Sequence, residues 1–226
     1  MGADSGQGAK DLAPLSKERV LHHALALADR EGIDALSMRK LGRELDAGAM
    51  SLYHHVGNKE ELLDAMVDLV FAEMRLPESG EDWQSAMRNW AVSARDALMR
   101  HPWASSLLDA RTSPGPATLR LREGVTACLR QAGFSVRMAT HANWLVDSYV
   151  YGFVLQAVSL PFADANELSG MIDEVYLPQL PPEKYPYLNE SATELMQSGY
   201  DPADEFIYGL DLILDALERD RLSRKP

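Results

Sequence analysis

Apolar residues along this chain recur at the spacing of helices, not strands. Ser16 reads as an N-cap. Val20, Ala24, Leu27 and Ala28 then follow at helical intervals until the Glu31-Gly32 stop. Ser37 opens a second helix, MRKLGREL, in which Met38, Leu41 and Leu45 fall at i, i+3 and i+7. Asp46-Ala47-Gly48 is a short turn, and AMSLYHHV is a third short helix with Leu52 and Val56 on one face. Asn58 caps a fourth helix, with Glu61 three residues on as a capping box requires. Its apolar positions Leu62, Met66, Leu69, Val70 and Met74 hold the period as far as Pro77.

Beyond Pro77 the pattern predicts helices over 82–100, 104–110, 116–132, 135–159, 189–198 and 202–220, punctuated by proline and glycine. Residues 1–14 read as a flexible tail. The proline-rich stretch 161–188 is expected to be an irregular loop. No alternating strand pattern or internal repeat stands out. The expected fold is all-α: a helix-turn-helix unit of three short helices over 15–60, then a larger helical domain over 61–226.

The most apolar window, NWLVDSYVYGFVLQAVSLPF, contains Asn143, Asp147 and Gln156 and ends at Pro161. A bilayer span needs about 20 mostly apolar residues, so this is expected to be a buried helix, and no membrane partner is expected. The polar start MGADSGQGAK carries no apolar signal segment. The single cysteine, Cys128, forms no internal disulfide and suits a cytoplasmic protein; inside LREGVTACLRQ it reads as a small buried hydrophobe.

The net charge of −12 argues at first against nucleic acid. Its distribution changes that picture. Residues 1–60 carry eight Lys and Arg against nine Asp and Glu, a net of −1, and the remainder carries −11. Anion binding is therefore open to the N-terminal unit alone. With no GxGxxG, GxSxG, HExxH or Walker loop, the chain is not expected to be an enzyme.

A helix-turn-helix lowers its second helix into the major groove and holds phosphates from around it. With Leu52 and Val56 turned inward, Met50, Ser51, Tyr53, His54 and His55 are left to face outward or along the rim. Lys59, at the first turn of the next helix, can reach a phosphate, as can the helix start at Ser37 with Arg39. Adjacent histidines on a helix diverge by about 100° and rarely chelate, so His54-His55 is not read as a metal site. His22-His23, away from the turn, read as packing and surface.

The run LSKERVLHHALALADREGIDALSMRKLGRELDAGAMSLYHHVGNKEELLDAM closely resembles the N-terminal domain of the tetracycline-repressor (TetR) family. The likeness extends through EDWQSAMRNWAVSARDALMRHP, LRQAGFS and EFIYGLDLILDALE, which are similar to the ligand-binding domain of the tetracycline repressors themselves. It implies a homodimer on double-stranded operator DNA, released by a small-molecule effector. It also implies DNA contacts from Ser37, Arg39, Ser51, Tyr53, His54, His55 and Lys59. Where those repressors begin the reading helix with Gln-Pro-Thr, this chain has Ala49-Met50-Ser51, so a different operator is expected.

The implied pocket departs further. Positions matching the tetracycline site are Met74, Trp90, Leu107, Arg111, Val125 and Gln156; of these only the arginine is shared, and Leu107 stands where an imidazole would ligate magnesium. Mg-tetracycline is thus not the expected inducer. With Met87, Trp144 and Tyr149 added, the set describes a more apolar pocket, and no metal or cofactor is expected. The apolar faces of 143–158 and 206–217 could close an intramolecular core or form a four-helix dimer interface, with Gly152 and Gly209 permitting close approach in either case. Two other readings stand beside this one: a TetR-like regulator with no small-molecule effector, and a helical binding protein whose helix-turn-helix no longer touches DNA.

Overall fold

The computed structural model describes residues 14–78, 80–107, 113–160, 165–198 and 201–223. Among these are ten α-helices and no strand: α1 (Lys17–Glu31), α2 (Met38–Glu44), α3 (Ala49–Val56), α4 (Lys59–Ala72), α5 (Trp83–Arg100), α6 (Pro116–Gln131), α7 (Val136–Ser159), α8 (Ala165–Met171), α9 (Pro186–Ser198) and α10 (Pro202–Ser223). None is long and apolar enough to cross a membrane.

The expected caps form. Ser16 accepts from Arg19 N, Ser37 from Lys40 N, and Asn58 from Glu61 N, at 3.2, 3.2 and 2.9 Å. Val20, Ala24, Leu27, Leu41 and Leu52 close the head around a dry centre. Leu62, Met66 and Val70 carry the same apolar cluster along α4 into α5, α6, α7 and α10. One core therefore runs unbroken from the first helix to the last.

Two glycines are required by close approach. A β-carbon on Gly42 would lie 2.7 Å from the Ala47 carbonyl oxygen, so α2 can receive the turn only with hydrogen there. Asp46 completes that turn at φ 51°, a left-handed conformation that aspartate tolerates. A β-carbon on Gly115 would collide with the Asp68 carboxylate. That carboxylate, on α4, accepts from Thr118 N at 2.8 Å, Thr118 Oγ1 at 2.9 Å and Ala117 N at 3.2 Å. Asp68 thus caps α6 from a different helix and supplies the negative charge its N-terminus favours.

Several expectations need correction. Residues 165–179 are not irregular: α8 runs into a π turn at Ile172–Tyr176 and a 3-10 turn at Leu177–Gln179. Pro178 sits in the opening turn of the latter and Pro186 begins α9, positions where a missing N–H costs nothing. This arm has its own small core of Leu168, Ile172 and Ala192. In place of the helix expected from 104 stands a 3-10 turn at Pro102–Ser106, and residues 108–112 lie outside the described set, as does the tail up to residue 13. The window 143–160 is buried on one face only: Trp144, Leu145, Leu155 and Val158 are exposed. Gly152 faces open space, whereas Gly209 sits beneath the Tyr149 hydroxyl, which donates to Phe206 O at 2.9 Å and pins α7 to α10.

Gly42→Ala should cost about 1–3 kcal/mol, since a backbone oxygen cannot yield as a side chain would. Urea unfolding that moved by less than a few tenths would contradict this geometry.

Candidate DNA-binding face and effector cleft

The head positions α3 by locking one side of it. Leu52 is fully buried and Val56 nearly so, while Met50, three-quarters exposed at 74%, stands clear with Ser51, Tyr53 and His54; His55 is half-buried at the rim. The outward strip is therefore the one the sequence pattern assigns. Ser37 and Arg39 at the start of α2 and Lys59 at the start of α4 are exposed beside it.

Charge on this face is already sorted. Lys40 pairs with Glu31, and Arg30 with Glu44, tying the end of α1 to α2. The hydrogen bond from Lys40 holds the Glu31 carboxyl below its ordinary range. Arg39, Arg43 and Lys59 make no ion pair among the described residues. Arg43, exposed immediately before the turn, was not singled out by the sequence pattern.

In the body, α6 and α7 border a cleft of about 240 Å³ whose lining includes Leu121, Arg122, Val125, Asn143, Trp144 and Asp147. Val125 and Trp144 of the expected pocket meet here, the second at the rim with 73% of its surface exposed. Met74, Met87 and Trp90 lie inside the core. Gln156 lines a separate recess with Phe153 and Leu160, Tyr149 is engaged with α10, and Leu107 is half-buried against the core. Arg111 lies outside the described residues. Among the described residues five buried side-chain polar atoms have no hydrogen-bond partner, and Asn143 Oδ1, in the lining of this cleft, is one of them; Trp90 Nε1, in the core, is another. Burying such atoms unpaired is costly. Cys128 is half-buried, and burial pushes its thiol up.

Between head and body lies a cluster that sequence spacing does not reveal. His101 follows the last residue of α5, its Nδ1 2.8 Å from Asp29 Oδ1 and its Nε2 3.1 Å from Glu73 Oε1. Trp103 Nε1 also donates to Asp29, at 2.7 Å, and Arg100 to Glu73, at 2.6 Å. Burial raises Glu73, but hydrogen bonds from Arg100 and His101 outweigh it and hold the carboxyl below its usual range.

Comparison with known proteins settles the family. Residues 20–66 match the model for bacterial regulatory proteins of the tetR family, and residues 76–221 match the tetracyclin repressor-like C-terminal domain. The chain belongs to the TetR family. It is a DNA-binding transcriptional regulator and not an enzyme. The class D tetracycline repressor protein of Escherichia coli is 32% identical over 210 residues, 92% of this chain and 91% of that one. An HTH-type transcriptional regulator of Saccharopolyspora erythraea is 41% identical over 141 residues, 62% of this chain and 60% of its own length. Among solved structures, the TetR family protein ActR of Streptomyces coelicolor in complex with actinorhodin superposes with a TM-score of 0.74 at 31% identity, covering 92% of this chain and 99% of ActR. BioQ with its double-stranded DNA operator gives 0.62 at 25% identity, covering 90% and 98%.

For a TetR-family head, the inward and outward residues of α3 should separate cleanly in stability. Leu52→Ala should cost about 2–5 kcal/mol, and Met50→Ala less than about 0.5 kcal/mol. Comparable losses in chemical denaturation would show that α3 is turned the other way.

Proposed function

We propose that this regulator is a cytoplasmic repressor whose residues 15–60 read a double-stranded operator and whose residues 61–226 bind a small amphipathic effector and dimerise. The observation that carries the DNA-reading part is the strip Met50, Ser51, Tyr53, His54 and His55, held outward by Leu52 and Val56 and flanked by the uncommitted cations Arg39, Arg43 and Lys59. Tyrosine and histidine offer base edges and phosphates both donors and flat apolar rings, while Ser37 and Lys59 suit phosphates. Acidic charge elsewhere on the chain repels DNA and keeps it to this face.

The effector reading rests on the cleft between α6 and α7 and on Asn143, which lines it and whose buried Oδ1 has no hydrogen-bond partner. A ligand that brings a donor to that amide oxygen, on an apolar ring system that Leu121, Val125 and Trp144 can cover, would complete it. Relatives of the same fold are described with actinorhodin and, in a TetR variant of Acinetobacter baumannii, with minocycline. Mg-tetracycline itself fits poorly, because Leu107 offers no ligand atom where the resemblance places an imidazole. Gln156 and Tyr149 stand apart from the cleft.

The open faces of α7 and α10 support a homodimer. Leu145 and Leu155 on one and Tyr208 and Leu212 on the other are exposed, too much apolar surface for one chain to leave wet. Gly152 leaves room for a helix to approach closely, and a two-fold protein matches a palindromic operator.

Tyr53→Ala should weaken binding to an operator selected from random DNA by about tenfold or more, as loss of a base contact does. Lys59→Ala should weaken all sequences alike and lower the slope of log affinity against log salt by about one. Fluorescence titrations in which Tyr53→Ala binds like wild type would remove α3 as the reading helix. Leu155→Asp should convert the dimer to a monomer in sedimentation, and an unchanged mass would place the interface elsewhere.

A further inference from the structure

The cluster around His101 is not explained by DNA contact or by the effector cleft. Three helix ends converge on it: Asp29 is in the last turn of α1, Glu73 is the first residue beyond α4, and His101 the first beyond α5. Helix C-termini present the negative ends of their dipoles, so the spot favours a cation. The imidazole is 11% exposed and lies between two carboxylate oxygens. Carboxylates only accept, so both contacts are hydrogen bonds only when both ring nitrogens carry protons. A neutral imidazole has one N–H to give and can hold one of the two.

Charge leads to the same state. Asp29 comes from α1, Glu73 from the end of α4, and Arg100 from α5, and no other ion pair reaches His101 among the described residues. The 3-10 turn contributes Trp103, an uncharged donor, already committed to Asp29. Two carboxylates balance Arg100 and an imidazolium; with a neutral ring one negative charge, beside three helix C-termini, is left uncompensated.

We propose that His101 is a proton-dependent latch, gripping Asp29 of the head and Glu73 of α4 together as an imidazolium, and releasing one of them when it loses a proton. It is a positioning residue that acts through α1 and α4, and it rests on the operator-binding reading above. With the latch closed, the head is held at one angle to the body. With it open, the head samples several angles, and only a fraction of the population presents both heads of a dimer at the operator spacing. Operator affinity therefore falls as pH rises through the loss of this proton.

The test compares wild type, His101→Gln and Glu73→Gln on a duplex selected by the wild type from random DNA, between about pH 6 and about pH 8. Glutamine at 101 has donors but no charge and does not titrate. His54 and His55 are present in all three proteins, so the latch is read from the difference between profiles. Wild-type affinity should drop about tenfold more than that of either variant across this range, and the variants should match high-pH wild type throughout. Glu73 is partly exposed, so its glutamine variant tests the latch even if His101→Gln fails to fold. In the DNA-free protein, nitrogen spectra of labelled histidine should show both ring nitrogens of His101 protonated near pH 7. Parallel pH profiles, or a singly protonated His101 near pH 7, overturn the latch. Absence of DNA binding by all three proteins would sink the operator reading instead and leave the spectra to decide on the latch.

Discussion

The structure depends above all on α4 being buried along one face from end to end. Leu62, Met66 and Val70 are fully buried, and they join the apolar cluster of α1 and α3 to that of α5 and α6. If α4 turned about its axis by a quarter, these side chains would leave the core on both sides at once. Each is worth about 1.5–3 kcal/mol when fully buried, so the stripe holds the helix in one rotational setting.

Polar ties hold the same helix at defined points. Asp68 fixes the middle of α4 to the start of α6, and Glu73 fixes its end to His101 and, through it, to Asp29 of the head. Apolar contact is non-directional and tolerates small shifts. A charge-assisted hydrogen bond is short, and weakens steeply off its axis. The apolar stripe thus sets how α4 is turned, and the carboxylates of Asp68 and Glu73 fix where its middle and its end meet α6, α5 and the head.

How much of this was legible depended on sequence distance. The caps at Ser16, Ser37 and Asn58 act within three residues, and the inward pair Leu52 and Val56 within four, so periodicity exposes them. Asp68 meets Thr118 across 50 residues and His101 meets Asp29 across 72, and no local pattern marks either aspartate as different from its solvated neighbours. The prolines at 178 and 186 misled for a different reason: proline signals the end of one helix and the first turn of another with the same residue. The window at 143–160 misled because apolar character reports that a surface avoids water, not which chain covers it. The likeness to tetracycline repressors supplied candidate pocket positions, and the fold distributes them among the core, the α6–α7 cleft and a separate recess.

This distribution constrains how an effector could act. A ligand can shift the head only by the difference in its affinity for the two head positions. Contacts to Val125 and Trp144 in the cleft touch α6 and α7 and do not by themselves distinguish those positions. Neither does Trp90 bring the cleft to the head: it lies on α5, the helix that ends beside His101, but it is buried in the core and takes no part in the cleft lining. Any displacement of the start of α6 is felt at Asp68, because its carboxylate must follow Thr118 or lose three hydrogen bonds. On the proposed effector reading, a ligand acts on the head only as far as it displaces α5 or the start of α6, and filling the cleft without moving either would leave the head where it is.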